Sequence, residues 1–214
     1  MFVTGTGTEV GKTVVAAVIA HAAAADGRSV TAFKPAVSGL DELGGAEPDH
    51  ELLRRASGCV QTDDEIAPYR YGPAVSPHLG AELAGQEIDP ARLRRAASAA
   101  AAAGDYLVAE GVGGFLVPLA PGYLIRDLAR DLGLPVVIAA GPGLGTINHT
   151  LLTIDSVRAA GLDVAAVVLT PWPATPEPIH ESNRDTIGAA ASVRVDVLPE
   201  IDLATPARWP ALSV

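Results

Sequence analysis

Short apolar runs alternate along this chain with longer segments in which apolar residues recur every three or four positions. Residues 1–4 form the first run. After a glycine-rich stretch, the apolar spacing of residues 12–25 predicts a helix that Asp26-Gly27 ends. A second strand over 29–33 delivers Lys34-Pro35, and residues 38–48, rich in glycine and acid, read as a loop leading to a helix over 49–56. Residues 60–75 read as irregular, with Pro68, Gly72 and Pro73. Helices are expected at 76–84, 89–103, 124–132, 146–160 and 178–190. Strands are expected at 105–109, ending before Glu110, and at 135–140, 164–169 and 194–198. Such alternation predicts an α/β chain of three layers, a mostly parallel sheet covered by helices on both faces. Neither an internal repeat nor a linker interrupts it, so residues 1–214 read as one domain, with a tail after Pro199 too irregular to assign.

Composition sharpens this picture. Hydrophobic residues make up 49% of the 214 positions and aromatics only 4%, which suits helices packed closely on a sheet. The longest apolar runs fall short of the ~20 residues a membrane span needs, and the first residues lack the basic and apolar regions of a secretory signal, so a cytoplasmic protein without a membrane partner is expected. A net charge of −10 argues against nucleic acid as a partner. Cys59 stands alone, which excludes an internal disulfide or a cysteine metal cluster. Of the 15 basic residues, only Lys12 and Lys34 are lysines. A chain that otherwise uses arginine retains lysine where a compact ammonium is needed, so both positions are candidates for chemistry.

Gly5-Thr-Gly-Thr-Glu-Val-Gly11-Lys12-Thr13 lies between the first strand and the first helix, where backbone N–H groups and a helix N-terminus cradle phosphate. Lys12 can reach the β- and γ-phosphates and the Thr13 hydroxyl can hold Mg²⁺. The spacing departs from the usual phosphate loop: five residues separate Gly5 from Gly11, and Thr6 occupies the normal glycine position. Glu110, at the end of an apolar strand, stands where P-loop proteins keep an acid for Mg²⁺; a helix cap or solvated turn is the alternative. Asp49 is a third metal candidate, with capping of its own helix as the alternative.

Taken together, these residues make the sequence similar to the dethiobiotin synthetase family from end to end. The matching blocks are Val3-Thr-Gly-Thr-Gly-Thr-Glu-Val-Gly-Lys-Thr13, Lys34-Pro-Ala-Val-Ser-Gly39, Ser76-Pro-His78, Glu110-Gly-Val-Gly-Gly114 and Gly143-Leu-Gly-Thr-Ile-Asn-His149. The long loop between Gly5 and Gly11 is itself a trait of that family. The resemblance implies a homodimer of P-loop NTPase fold that makes dethiobiotin from 7,8-diaminononanoate, CO₂ or bicarbonate, and ATP or another nucleoside triphosphate. It implies that Lys34, Lys12, Thr8 and Glu9 serve the reacting centre and that Thr13, Asp49 and Glu110 hold Mg²⁺. Nucleotide binding is implied for Glu9, Val10, Gly11, Lys12, Thr13 and Val14, for Glu110, Gly111, Val112 and Gly113, and for Thr170, Pro171 and Pro199. Substrate binding is implied for Ser38 and Lys34, and for Gly145, Thr146, Ile147 and Asn148, which would take the distant carboxylate across the dimer interface. Capping is the alternative for Asn148 and His149, and ending a strand is the alternative for Pro199.

One departure concerns the base. Thr170-Pro171-Trp172 stands where the family often carries Asn-Asp, and a threonine lacks the paired donor and acceptor of a carboxamide. The implied chemistry is capture of CO₂ by one amine, attack of the carbamate on the γ-phosphate, and ring closure by the second amine. A switch or partition ATPase of related fold is the alternative function. Those proteins usually carry a further lysine where this chain has Gly7. An amide-forming relative would need an ammonia source, and a degenerate module would not keep so complete a set of polar residues.

Overall fold

The computed structural model describes residues 1–212, so Ser213 and Val214 lie outside the described residues. The central sheet is built from β1 (Phe2–Gly5), β2 (Val30–Phe33), β3 (Tyr106–Glu110), β6 (Val136–Ala140), β7 (Val164–Trp172) and β8 (Val195–Pro199), in the order β2-β3-β1-β6-β7-β8. Every neighbouring pair in it is parallel. Alternation along the strands explains the layers. Phe2, Ile138 and Leu169 face one apolar cluster, while Val3, Val137 and Val168 face the other. Strands apolar on both faces require helices on both. The first face is covered by α5 (Pro90–Ala102), α6 (Ile125–Leu132), α7 (Thr146–Ala159) and α8 (Pro178–Ala191), and the second by α1 (Lys12–Ala25) and α2 (Asp49–Ser57). The three-layer α/β fold expected from the pattern is therefore present.

Three local expectations change. The stretch 60–75 is not wholly irregular, because α3 (Asp63–Ile66) is started by a capping box: the Glu65 amide donates to the Thr62 hydroxyl, and the Thr62 amide donates to the Glu65 carboxylate. A small antiparallel hairpin, β4 (Pro118–Ala120) with β5 (Tyr123–Leu124), was hidden by Pro118 and Pro121, which remove the donors that make a strand pattern legible. β7 runs three residues past the expected end at 169, since Trp172 pairs with Pro199 of β8 beyond a register shift, and Thr170 and Pro171 are joined by a cis peptide inside it. α4 (Pro77–Leu83) matches its expected helix. None of the described helices is long and apolar enough to cross a membrane.

β2 is an edge strand, and its outer side is closed by a side chain. The Ala32 amide donates to Gln61 Oε1 at 2.8 Å and Gln61 Nε2 donates back to the Ala32 carbonyl at 3.0 Å, so one carboxamide imitates a neighbouring strand two residues before Lys34. One residue beyond β2, the Lys34 amide donates to the Ile66 carbonyl at 2.7 Å. Replacing Gln61 with alanine is expected to lower stability by about 1–3 kcal/mol, the worth of two partly buried hydrogen bonds. Denaturant unfolding checks this as a lowered midpoint with unchanged slope.

Candidate active site

In a parallel sheet all strands end on the same side, so the chain segments leaving β1, β2 and β3 are brought together. Phe33 is in register with Ala109, which sets the next residues, Lys34 and Glu110, side by side. Both are almost withdrawn from water, with relative exposures of 3% and 0%. Lys34 Nζ donates to Glu110 Oε1 at 2.7 Å and to Asp49 Oδ2 at 2.5 Å. Thr13 Oγ1 donates to the same Glu110 oxygen at 2.8 Å, and Lys12 Nζ folds back to donate to the Gly7 carbonyl at 2.7 Å. Both lysines of the chain thus stand at one site.

The capping roles left open by sequence are not taken up. Glu110 is a wholly buried strand residue and caps no helix. The N-cap of α2 is Pro48, so Asp49 lies inside the first turn and turns its carboxylate to Lys34. α7 has Gly145 as its N-cap with no side-chain cap, so neither Asn148 nor His149 serves as one.

Charge inside the site follows from burial and pairing. Burial works against the Lys34 ammonium, but Glu110 and Asp49 outweigh it and hold its pKa above the ordinary lysine value. Burial likewise pushes Asp49 up, and Lys34 overrides it to leave that carboxyl below its usual range. Glu110, the most deeply buried, remains raised by desolvation in spite of Lys34. Lys12 is lowered by desolvation, with Glu110 acting against it.

The phosphate loop wraps the mouth of this cluster. Gly11 has φ +81°, and a Cβ there would lie 2.6 Å from the Thr170 methyl, so glycine is required on both counts. Glu9 adopts φ +60° without being glycine, a strained conformation of the kind that gathers at functional loops. A cavity of about 700 Å³ opens over the loop. Its lining includes the expected Thr8, Glu9, Gly11, Lys12, Thr13, Val14, Lys34, Ser38, Asp49, Glu110, Val112 and Gly113. Ala74, Val75, Ser76, Pro77 and Val117 complete the wall and were not foreseen as site residues, although the Ser76-Pro-His78 block pointed to that stretch.

Several expected residues lie outside the cavity wall. Val10 packs under the loop toward the α1-side core, and the Gly111 amide donates to the Val3 carbonyl. Thr170 is buried against Gly11, Pro171 is exposed, and Pro199 ends β8 opposite Trp172. Gly145, Thr146, Ile147 and Asn148 begin α7 beyond β6 and touch no part of the cavity.

A divalent cation suits the donor set. Glu110 Oε2 is buried with no partner, while Thr13, Asp49 and Glu110 supply the hard oxygen ligands that Mg²⁺ prefers.

The family model for an AAA domain matches residues 1–208. The ATP-dependent dethiobiotin synthetase of Aromatoleum aromaticum is 45% identical over 166 residues, covering 77% of this chain and 74% of that protein. The enzyme of the same name from Pseudomonas aeruginosa is 36% identical over 215 residues, covering 96% and 92%. The Pyrococcus furiosus cell division ATPase MinD superimposes with a TM-score of 0.57 over 94% of this chain and 83% of its own, at 18% identity, a likeness of fold alone. A nucleotide loop with a buried lysine and two acids, on a chain this similar to those enzymes, places it in the dethiobiotin synthetase family.

Proposed function

We propose that this chain closes the cyclic urea of dethiobiotin from 7,8-diaminononanoate, CO₂ and a nucleoside triphosphate, with Lys34 as the group that joins carbamate to γ-phosphate. The observation that carries this reading is a lysine withdrawn from water between two carboxylates, beside the phosphate-loop lysine. CO₂ is a weak electrophile and a carbamate is a poor acylating agent, so activation by phosphoryl transfer is needed. One amine takes up CO₂ and loses a proton. A carbamate oxygen then attacks the γ-phosphorus and the nucleoside diphosphate leaves. The second amine attacks the carbonyl carbon of the mixed anhydride and loses a proton as phosphate is expelled and the ring closes.

The anionic carbamate and phosphates repel one another, and opposite charge fixed in advance lowers that barrier. Lys12 follows the transferring phosphoryl group, and Lys34 spans it and the carbamate. Thr8 and Glu9 border the same space, and Ser38 faces the reacting amines. Thr13, Asp49 and Glu110 would hold Mg²⁺, which supplies charge neutralisation and orientation of the phosphates. The N-terminus of α7, from Gly145 to Asn148, takes the distant carboxylate, since N–H groups at a helix start attract anions. That end lies outside the cavity, which supports a homodimer in which each copy completes the other's site. Leu144, just before α7, and Leu152, within it, are 94% and 60% exposed, apolar surface suited to a second copy. A cytoplasmic location accords with these substrates.

Turnover by Lys34→Ala and by Lys12→Ala is expected to fall more than about 10²-fold, the scale of losing a preorganised charge in the transition state. Near-native turnover of Lys34→Ala sinks its assignment. Phosphate release is expected to require both the diamine and bicarbonate, to stop on chelation with EDTA and to return with added Mg²⁺; release that ignores both substrates overturns the ligase reading. Because Thr170 offers no carboxamide to read adenine, ATP, GTP, CTP and UTP are expected to support similar rates in the same assay. A strong preference for ATP refutes the relaxed base pocket.

A further inference from the structure

The segment from Gly141 to Gly145 leaves β6 and sets the direction of α7, yet almost nothing packs on it. A Cβ added at Gly141 or Gly143 meets no atom within 4 Å, and Leu144 projects 94% exposed. Gly145 holds φ +92°, and the helix that follows begins without a side-chain cap. Such a segment has little apolar contact to hold it.

One residue of α8 supplies the missing constraint. Asn183 is 6% exposed, and its Nδ2 donates to the Pro142 carbonyl at 2.8 Å and to the Gly143 carbonyl at 3.0 Å. Among the described residues it is the one side chain hydrogen-bonded to this segment. A carboxamide is suited to the task, because its two N–H donors can take adjacent carbonyls at once. With both carbonyls drawn toward α8, and the Thr146 amide donating to the Gly143 carbonyl at 3.2 Å, the segment is fixed in the bend that leads to the Ile147 and Asn148 amides in the first turn of α7.

We propose that Asn183 is a positioning residue for recognition of the substrate's carboxylate: it fixes the 142–145 bend so that the α7 N-terminus is preset to receive the anion. This rests on the reading of that terminus as the carboxylate site. Asn183 touches neither the nucleotide cavity nor the reacting amines, so its effect belongs to KM for the diamine and not to the chemical step. A preset donor array avoids ordering on binding, and its loss weakens affinity without altering what happens at the far end of the substrate.

The test uses steady-state kinetics on the full-length protein, with diaminononanoate and its primary carboxamide as paired substrates. The native protein is expected to favour the acid over the carboxamide in kcat/KM. Asn183→Leu, similar in size but without donors, is expected to raise KM for the acid about tenfold and to leave kcat, KM for the nucleotide and KM for the carboxamide unchanged. If that variant does not fold, Asn183→Ser, too short to reach either carbonyl, is read in the same way. A variant that keeps the native preference for acid over carboxamide overturns the role of Asn183. A native protein that does not distinguish the two substrates overturns the carboxylate reading of α7 itself, and the proposal with it.

Discussion

Lys34 holds a positive charge almost withdrawn from water at the floor of the cavity, and the surrounding structure is arranged to make that tolerable. Desolvating an ammonium or a carboxylate costs several kcal/mol for each ion, and only close pairing with good hydrogen bonds offsets it. The parallel register of β2 with β3 supplies Glu110 at 2.7 Å, and the first turn of α2 supplies Asp49. Thr13 satisfies the shared oxygen from the helix that follows the phosphate loop. Two strands and two helices thus meet at one ammonium, and moving any of them by an ångström would leave a buried charge without its partner. The edge of β2 is where this arrangement is least protected, which gives physical sense to the Gln61 carboxamide and the Ile66 carbonyl that hold the strand's outer side.

The pair also prepares the site for a ligand far more negative than the protein around it. Lys12 and Lys34 are formally balanced by Asp49 and Glu110, so an arriving nucleoside triphosphate brings an excess of negative charge. Glu110 keeps one oxygen unpartnered in the interior. In a low-dielectric setting such an atom is costly unless a cation or proton shares it. The same oxygen set therefore suits the lysine in the free protein and a hard divalent ion in the working one.

Much of this was legible in the residues. The alternation of short apolar runs with helical spacing gives the layered fold, because strands covered on both faces cannot be polar on either. The scarcity of lysine singled out Lys12 and Lys34, since a solubilising role would not distinguish them from the arginines around them. What stayed hidden depended on distance. Val117 and Ala74 line the cavity with nothing chemical in their side chains to mark them. The β4–β5 hairpin is obscured by its prolines, and the extra length of β7 depends on a pairing with Pro199 that local sequence does not encode. Thr170 was legible as a departure in chemistry but not as the packing partner of Gly11, a contact between residues far apart in the chain.

The contact between Lys34 and Glu110 joins positions 76 residues apart. Closing so long a loop has to be met entropically before any attraction is gained, so the cluster exists only once β2 and β3 are aligned. The nucleotide consequently recognises the completed sheet and none of its fragments. A ligand that binds only the native state draws the folding equilibrium toward it, by about 2.7 kcal/mol when present at a hundred times its dissociation constant. In a cell, the nucleoside triphosphate pool would then act on this chain as a chemical chaperone as well as a co-substrate.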